Sequence, residues 1–449
     1  MAYIPNTPDD ERIMLEAIGL DSLDQLFDMI PPEFRLDRPL AIAAAQGEME
    51  LTAHVGSLLD RNRGADRRPC FLGAGSYDHF IPAVVDNLSS RGEFYTAYTP
   101  YQAEASQGTL QATFEYQTLI TQLTGMEVSN ASLYDGGSAV TEGVLMAITV
   151  TQRTGRVVVA GSVHPEYRAI LATYLANLEP EIITVPAVDG RVDPAEVARA
   201  LTDDTAALVV QYPNVFGQLE DVAALVDLAH DRGALAIVSV DPISLGLLRR
   251  PGDYGADIVV AEGQALGNPM SYGGPYLGIM ACREAYVRKM PGRIVGQTTD
   301  RHGKRCWVLT LQTREQHIRR EKATSNICTN QGLYALRASI YLAAVGPRGL
   351  RQAAELSTQK AHYAAERLAA VPGVSLAFPG PFFKEFVVRT SAPAERVLAA
   401  VGELGYHGGI ALNRWYPELG DSILVAVTEK RTRDEIDGLA AAYRKALSA

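Results

Sequence analysis

Apolar and polar residues alternate along the chain in blocks, and these blocks predict a layered α/β structure. From about residue 66, short apolar runs rich in β-branched residues alternate with longer amphipathic segments. Runs that are apolar at nearly every position are typical of parallel strands covered on both faces. The predicted strands are Val157–Ala160, Ile182–Val185, Ala207–Gln211, Leu235–Val240, Ile258–Ala261 and Leu277–Ala281. The predicted helices are Ala112–Thr124, Val140–Arg153, Glu166–Ala176, Pro194–Leu201 and Val222–Arg232.

The pattern differs at the two ends of the chain. Residues 1–65 alternate polar, proline-containing stretches with short amphipathic helices, and acidic residues at Asp9–Glu11 favour a helix start. After residue 330 the predicted elements are the helices Gly332–Ala344, Leu350–Ala370 and Arg433–Leu447 and the strands Val374–Phe378, Glu385–Arg389 and Ser422–Val427. The sequence therefore predicts an N-terminal arm (1–65), a large α/β domain (66–330) and a small C-terminal α+β domain (331–449).

Charge and composition exclude several classes of function. The 449 residues carry 41 basic and 52 acidic side chains, a net charge of −11, which argues against a nucleic-acid binder. No apolar run reaches the length of a membrane span, and the N-terminus does not resemble a signal peptide. The four cysteines are scattered without metal-ligand spacing, so we expect no zinc site, no disulfide framework and a reducing cytoplasm.

Three segments carry candidate chemistry. Gly136, Gly137 and Ser138 precede a predicted helix, where backbone N–H groups can cradle a phosphate or carboxylate; alternatively, Ser138 is only the N-cap of that helix. Asp241 follows a predicted strand, where a carboxylate can hold the protonated ring nitrogen of a cofactor, or simply cap the next turn. Tyr95, Tyr98, Tyr101 and Gln102 form a polar aromatic loop that suits a ligand pocket or a protein interface, or a buried turn.

The distribution of lysine is the most informative count. A pyridoxal phosphate (PLP) enzyme holds its cofactor as an imine of a lysine side chain. The loop after Ile258–Ala261, where that lysine is expected, contains Gln264 and no lysine, and the first lysine of the chain is Lys289. Lys289 lies in a predicted helix, Arg283–Met290, with basic neighbours, and is interpreted as a surface residue.

Other polar clusters favour simpler interpretations. The run from Arg314 to Asn326 has a helical period and suits a solvated face, with Glu315 and Glu321 as partners, or a contact with an acidic subunit. His79 and His164 have no companions at metal-ligand spacing, so no metal site is predicted. Gly73–Gly75 lacks the third glycine of a dinucleotide-binding motif.

Taken together, the segments resemble subunit 1 of the split bacterial P-protein of the glycine cleavage system. The resemblance runs nearly end to end. It is carried by Phe71–Pro82, Phe94–Gln102, Ser106–Gln117, His164–Arg168, Asp241–Gly246, Tyr272–Tyr276 and Ser325–Asn330. It implies a fold-type I, aspartate-aminotransferase-like PLP fold with a mainly parallel sheet.

The resemblance also implies a function. The family is an oxidoreductase that decarboxylates glycine and transfers the aminomethyl group to the lipoyl arm of the H-protein. PLP is expected on the partner, subunit 2, in an α2β2 heterotetramer. Gly136, Gly137, Ser138, Asp241 and Gln264 are then relics of a cofactor site, and Tyr95, Tyr98, Tyr101 and Gln102 are candidates for one wall of an active site at the interface.

Two alternatives stay open at this point. A free-standing PLP enzyme of another class requires a lysine that the loop lacks. A structural pseudoenzyme that only stabilises its partner is compatible with the sequence. Replacing the loop tyrosines in the assembled complex separates this possibility from an active-site role.

Overall fold

The computed structural model describes residues 6–323 and 325–448, and its contacts divide the chain after Arg63 into a short N-terminal unit and a larger unit. The α helices are α1 Pro8–Ile18, α2 Glu48–Leu59, α3 Ala83–Ser89, α4 Gly92–Tyr95, α5 Gln107–Thr124, α6 Gly136–Thr151, α7 Pro165–Leu175, α8 Pro194–Ala200, α9 Val222–Asp231, α10 Gln316–Arg319, α11 Gly332–Ala369, α12 Ala394–Glu403 and α13 Arg433–Ser448. The strands are β1 Val128–Ser129, β2 Arg156–Ala160, β3 Glu181–Val185, β4 Ala187–Val188, β5 Arg191–Val192, β6 Thr205–Tyr212, β7 Leu235–Val240, β8 Ile258–Glu262, β9 Gly278–Cys282, β10 Ile294–Thr299, β11 Arg305–Thr310, β12 Val374–Leu376, β13 Glu385–Thr390, β14 Ile410–Ala411 and β15 Ser422–Ala426.

The N-terminal unit contains α1 and α2 and two short 3₁₀ turns. α1 begins with a capping box in which Thr7 and Asp10 satisfy each other's backbone N–H groups, and acidic residues occupy its first turn as predicted. Many apolar side chains of this unit are exposed, among them Met29, Phe34 and Ile42.

A seven-stranded sheet in the order β1-β9-β8-β7-β6-β2-β3 forms the centre of the larger unit. Strands β3, β2, β6, β7 and β8 are parallel, and every residue of β7 and β8 is buried, as their uniformly apolar sequences predicted. β9 is antiparallel to β8, because the two are joined by a loop that contains no crossover helix. The sheet is therefore mainly parallel, with an antiparallel edge formed by β9 and β1.

Several element boundaries differ from the predicted ones. α6 begins at Gly136, four residues before the predicted start, because its first turn is built from small residues without apolar periodicity. The first two helices predicted after residue 330 are one element, α11, interrupted at Gly346, which has φ 61°, immediately before Pro347. The β10–β11 hairpin was not predicted, since its polar and apolar residues alternate only weakly.

Two main hydrophobic cores lie within the larger unit. One surrounds the seven-stranded sheet, and the other packs the four-stranded sheet β12-β13-β15-β14 against α12 and α13. α11 contributes to both, with Tyr341 and Leu342 in the first core and Ala361 and Leu368 in the second. α11 therefore links two lobes, the larger one built around the seven-stranded sheet and the smaller one around the four-stranded sheet. Within the described residues, no helix combines the length and apolarity that a membrane crossing requires.

Glu142 on α6 makes the stability of the fold pH-dependent. Its side chain is buried, and burial raises its pKa from 4.5 to about 7, although a hydrogen bond with Ser325 opposes this shift. Between these two values the folded chain keeps a proton that the unfolded chain has lost, so stability falls as the pH rises through this window. Glu142→Gln is expected to abolish this fall in the free energy of unfolding, which is at most about 1.4 kcal/mol per pH unit.

Melting curves of wild type and Glu142→Gln between pH 5 and pH 8 measure the effect. Glu115→Gln, at an exposed position on α5, is the control for the charge change. Equal pH slopes for wild type and Glu142→Gln would show that Glu142 is ionised in the folded chain throughout this range.

Candidate functional site

The carboxyl ends of the parallel strands meet at one edge of the sheet, and the side chains there enclose a small pocket. This strand-end pocket is lined mainly by Tyr77, His164, Asp241, Glu262, Lys384 and Glu385. Asp241 follows β7 and Glu262 ends β8, whereas Lys384 and Glu385 come from the start of β13 in the smaller lobe. The pocket is therefore closed by a lobe that is distant in sequence.

Asp241 is paired with a lysine. The Nζ atom of Lys384 lies 2.7 Å from Oδ2 of Asp241, and both side chains are buried. The same ammonium lies 3.4 Å from the centre of the Tyr77 ring and 2.9 Å from Nε2 of His79. Asp241 also accepts a hydrogen bond from the backbone N–H of Ile243, so it caps the following turn as well.

His79 connects this ion pair to the smaller lobe. Its Nδ1 atom lies 2.5 Å from the Glu429 carboxylate, whose other oxygen accepts a hydrogen bond from the backbone N–H of Phe80. Because Lys384 donates a hydrogen bond to Nε2 of His79, the proton of the neutral ring lies on Nδ1, which donates to Glu429. Both ring nitrogens of His79 therefore have a partner. Asp241, Lys384, His79 and Glu429 thus form one buried network.

The N-terminus of α6 holds a carboxylate from the chain itself. The N-cap is Asp135, which accepts a hydrogen bond from the backbone N–H of Ser138, so the interpretation of Ser138 as the N-cap is wrong. The backbone N–H of Gly136 donates to Oε2 of Glu262 at 2.9 Å, and the N–H groups of Gln264 and Leu277 donate to Oε1. Burial raises the pKa of Glu262 to about 8, against the effect of these three donors.

Gly136 and Gln264 have structural roles at this edge. A Cβ atom on Gly136 would lie 2.6 Å from the hydroxyl of Tyr167, so only glycine fits there. Gln264 exchanges hydrogen bonds with the backbone of Tyr77 and donates to the carbonyl of Asn268. The side-chain amide of Gln264 therefore holds the segment that carries Tyr77. Gly137 packs close to Ile170 and Tyr167.

The space left in the strand-end pocket is small. Its free volume is about 30 Å³, close to that of one water molecule, whereas pockets for small organic ligands measure about 300–1,000 Å³. PLP does not fit among these side chains as they are arranged. Of the predicted relic residues, Asp241 lines the pocket, and Gly136 and Gln264 contact its wall through Glu262 and Tyr77. Gly137 and Ser138 are not part of the lining.

The predicted tyrosine loop lies at a second, more open site. Tyr95, Tyr98 and Tyr101 are exposed, Tyr98 to 92%. Tyr95 and Tyr98 border a groove of about 240 Å³ that is also lined by Phe94, Arg293 and Asn330. Gln102 is exposed beside this loop. The interpretation of the loop as a buried turn is therefore wrong, while its role in a pocket or interface stays a prediction.

Arg293 holds the tyrosine loop in place at Tyr101. This buried guanidinium donates to the hydroxyl of Tyr101 and to the side chain of Asn330, and its Nε atom lies 3.9 Å from Glu315. The ring of Tyr101 also contacts His317, with 5.5 Å between ring centres. Tyr101 is thus fixed on one side, whereas Tyr98 projects freely.

The remaining predicted features are distributed elsewhere. The local helix, α10, has only four residues and Arg314 and Glu315 are buried, so the predicted helical period is wrong for this segment. Residues 317–322 are exposed, as a solvated face requires. Lys289 is exposed, as predicted. His164 packs on the Tyr167 ring, and burial lowers its pKa. Among the described residues, no group of side chains is arranged to hold a metal ion, and all four cysteines are free thiols.

Sequence reasoning missed Lys384, Glu262 and Arg293. Lys384 had a detectable signal, because it stands within the apolar run from Phe382 to Val388, where a lysine requires a buried partner. Glu262 and Arg293 had no such signal in the sequence, because an acidic residue at the end of a strand and an arginine before a strand are both common.

Comparisons with known proteins place these sites in context. Residues 1–443 match the family model described as "Glycine cleavage system P-protein". A relative from Desulforamulus reducens, named "Probable glycine dehydrogenase (decarboxylating) subunit 1", is 54% identical over 98% of this chain and 99% of its own length.

Solved structures agree with this match. The crystal structure of a glycine decarboxylase (P-protein) of the glycine cleavage system, in inhibitor-bound form, has a TM-score of 0.91 and 44% identity and covers both chains completely. A sphingosine-1-phosphate lyase from Burkholderia pseudomallei has a TM-score of 0.64 at 16% identity over 93% of this chain and 92% of its own, and so shares the fold. The predicted fold-type I PLP architecture is confirmed.

Proposed function

Because the chain belongs to the glycine cleavage system P-protein family, we propose that it is subunit 1 of a glycine dehydrogenase (decarboxylating). With a second subunit it decarboxylates glycine and passes the aminomethyl group to the lipoyl arm of the H-protein. The chain contributes protein surface to the active site and not the cofactor. The chain is an obligate subunit, inactive alone, of a cytoplasmic α2β2 heterotetramer.

The exposed tyrosine loop is the observation that carries this proposal. Tyr95 and Tyr98 border an open groove that is also lined by the buried Arg293, which donates to the hydroxyl of Tyr101, and Gln102 is exposed beside them. Tyrosine combines a large apolar ring with a hydroxyl that can form hydrogen bonds, and it is enriched at protein interfaces. The loop is thus suited to form one wall of a pocket that the partner subunit completes.

Two further features support a partner subunit. The N-terminal unit exposes large apolar side chains such as Met29, Phe34 and Ile42, which is typical of surfaces buried in assemblies. The strand-end pocket of this chain has no space for PLP, so we expect the cofactor on subunit 2. A structural subunit that lends no residue to the active site is the alternative, and the filled strand-end pocket is the observation that favours it.

Replacement of the loop tyrosines tests the two possibilities. Tyr98→Phe and Tyr101→Phe, assembled with subunit 2 and H-protein, are expected to lower kcat/KM for glycine about tenfold, the effect of one lost hydrogen bond of about 1.4 kcal/mol. Tyr174→Phe removes a hydroxyl from a partly exposed tyrosine on α7 and serves as the control. Normal activity in both loop variants would favour the structural subunit.

Assembly is tested with the purified chain. We expect no glycine decarboxylation from this chain with added PLP, and full activity after it is mixed with subunit 2 and lipoylated H-protein. Activity of the chain alone would contradict the proposal.

A further inference from the structure

Two anchor points that a PLP site of this fold provides lie at the strand-end pocket, Asp241 in its wall and the N-terminus of α6 behind Glu262, and both are occupied by the chain itself. A carboxylate at a strand end can bind a protonated ring nitrogen, and a helix N-terminus can bind a phosphate. Asp241 is paired with Lys384, and the N–H of Gly136 is bonded to Glu262. We infer that Lys384 and Glu262 are internal substitutes for the cofactor, which together bar PLP from this chain, and that Lys384 also holds the smaller lobe onto the sheet.

The position of Lys384 supports substitution rather than imine formation. Its Nζ atom contacts Asp241, His79 and the Tyr77 ring face, so its three N–H donors are directed at the end of the pocket where the ring nitrogen would lie. The N-terminus of α6 is covered by Glu262. A lysine that formed an imine would have to reach the middle of the pocket with a free amine.

The same contacts connect the two lobes. Lys384 and Glu385 come from the smaller lobe, while Asp241 and Tyr77 lie on the larger one. The Tyr77 hydroxyl donates to Glu385 at 2.8 Å, and Glu385 also accepts from the backbone N–H of Ala74. The Lys384–Asp241 ion pair and the hydrogen bonds of Glu385 therefore hold the two lobes together.

This inference rests on the proposal that PLP resides on subunit 2. Experiments can nevertheless reject either the internal substitution or the proposed activity without rejecting the other. If the present chain bound the cofactor and the mixed complex still decarboxylated glycine, only the internal substitution would be wrong. If the complex were inactive while the pocket excluded the cofactor, only the proposed activity would be wrong.

The test uses the full chain and pyridoxamine 5′-phosphate, which keeps the phosphate and the ring nitrogen of PLP but has an amine in place of the aldehyde and so cannot form an imine with surface lysines. We expect this probe to leave the melting temperature of the wild type unchanged. The double variant Lys384→Ala/Glu262→Ala, which frees both anchor points, is expected to melt several degrees higher with the probe than without it. Lys289→Ala, which removes an exposed lysine, is the control and is expected to behave like wild type.

Two results would overturn the inference. One is saturable binding of the probe by the wild-type chain that protects the backbone amides near Lys384 from hydrogen exchange. The other is a folded double variant that gains no affinity for the probe.

A separate measurement on the wild type needs no variant. After incubation with PLP and borohydride, peptide mapping is expected to find no label on Lys384. Labelled Lys384 would show that it forms the imine and that the site is a cofactor site. If the double variant does not fold, this measurement and the wild-type binding measurement decide the question.

Discussion

Asp241→Asn is expected to destabilise the chain by about 3–5 kcal/mol, because it leaves the buried Lys384 ammonium without its counterion. Asparagine keeps the size of the side chain and the acceptor for the Ile243 N–H, so the change removes charge and little else. The side chains of Lys384 and Asp241 are 1% and 9% exposed, so water cannot replace the lost partner. A shift of the chemical denaturation midpoint measures the effect.

The second variant in this series removes both charges. Asp241→Asn/Lys384→Met is expected to recover most of the lost stability, since replacing both members of a buried ion pair is often neutral. Asp253→Asn, which breaks the more exposed pair between Arg250 Nη2 and Asp253 Oδ1 at 2.9 Å, is expected to cost less than about 1 kcal/mol. A double variant as unstable as Asp241→Asn would show that the ammonium is not the source of the cost.

Gly217→Ala is expected to cost more than about 4 kcal/mol or to prevent folding, an effect in the exceptional range for one substitution. Gly217 has φ +78°, and a Cβ atom there would lie 1.9 Å from the backbone carbonyl oxygen of Glu385. The segments around Gly217 and Glu385 cannot move apart easily, because the carbonyl of Gly217 accepts a hydrogen bond from the N–H of Phe383, just before β13. The close approach of the two lobes at the strand-end pocket depends on this glycine.

A matched control separates backbone strain from the steric clash. Gly303, at the tip of the β10–β11 hairpin, has φ +76° with open space around its Cα, so Gly303→Ala carries only the strain. That strain is about 1–2 kcal/mol. Thermal melts of the two variants should therefore differ widely, and similar melting temperatures would contradict the tight contact between Gly217 and Glu385.

The order of elements in the sheet domain could be predicted from the sequence alone. Strands such as β7 and β8 are apolar at nearly every position, and this pattern is local, so it identifies the strand without knowledge of its neighbours. The absence of lysine before Lys289 is likewise a property of the sequence. Boundaries were less predictable, since the first turn of α6 is made of glycine and serine, which carry no periodicity.

Only the tertiary structure decided what occupies the strand-end pocket. Asp241 and the α6 N-terminus could be recognised as candidate anchor points, but Lys384 lies 143 positions after Asp241 along the chain and belongs to the other lobe. Charge pairing depends on distance in space, and the packing of β13 against the sheet sets that distance. The sequence by itself determined the fold class and the absence of a lysine from the Gln264 loop, whereas the folding of the smaller lobe onto the sheet decided that the chain's own ammonium and carboxyl groups fill the pocket.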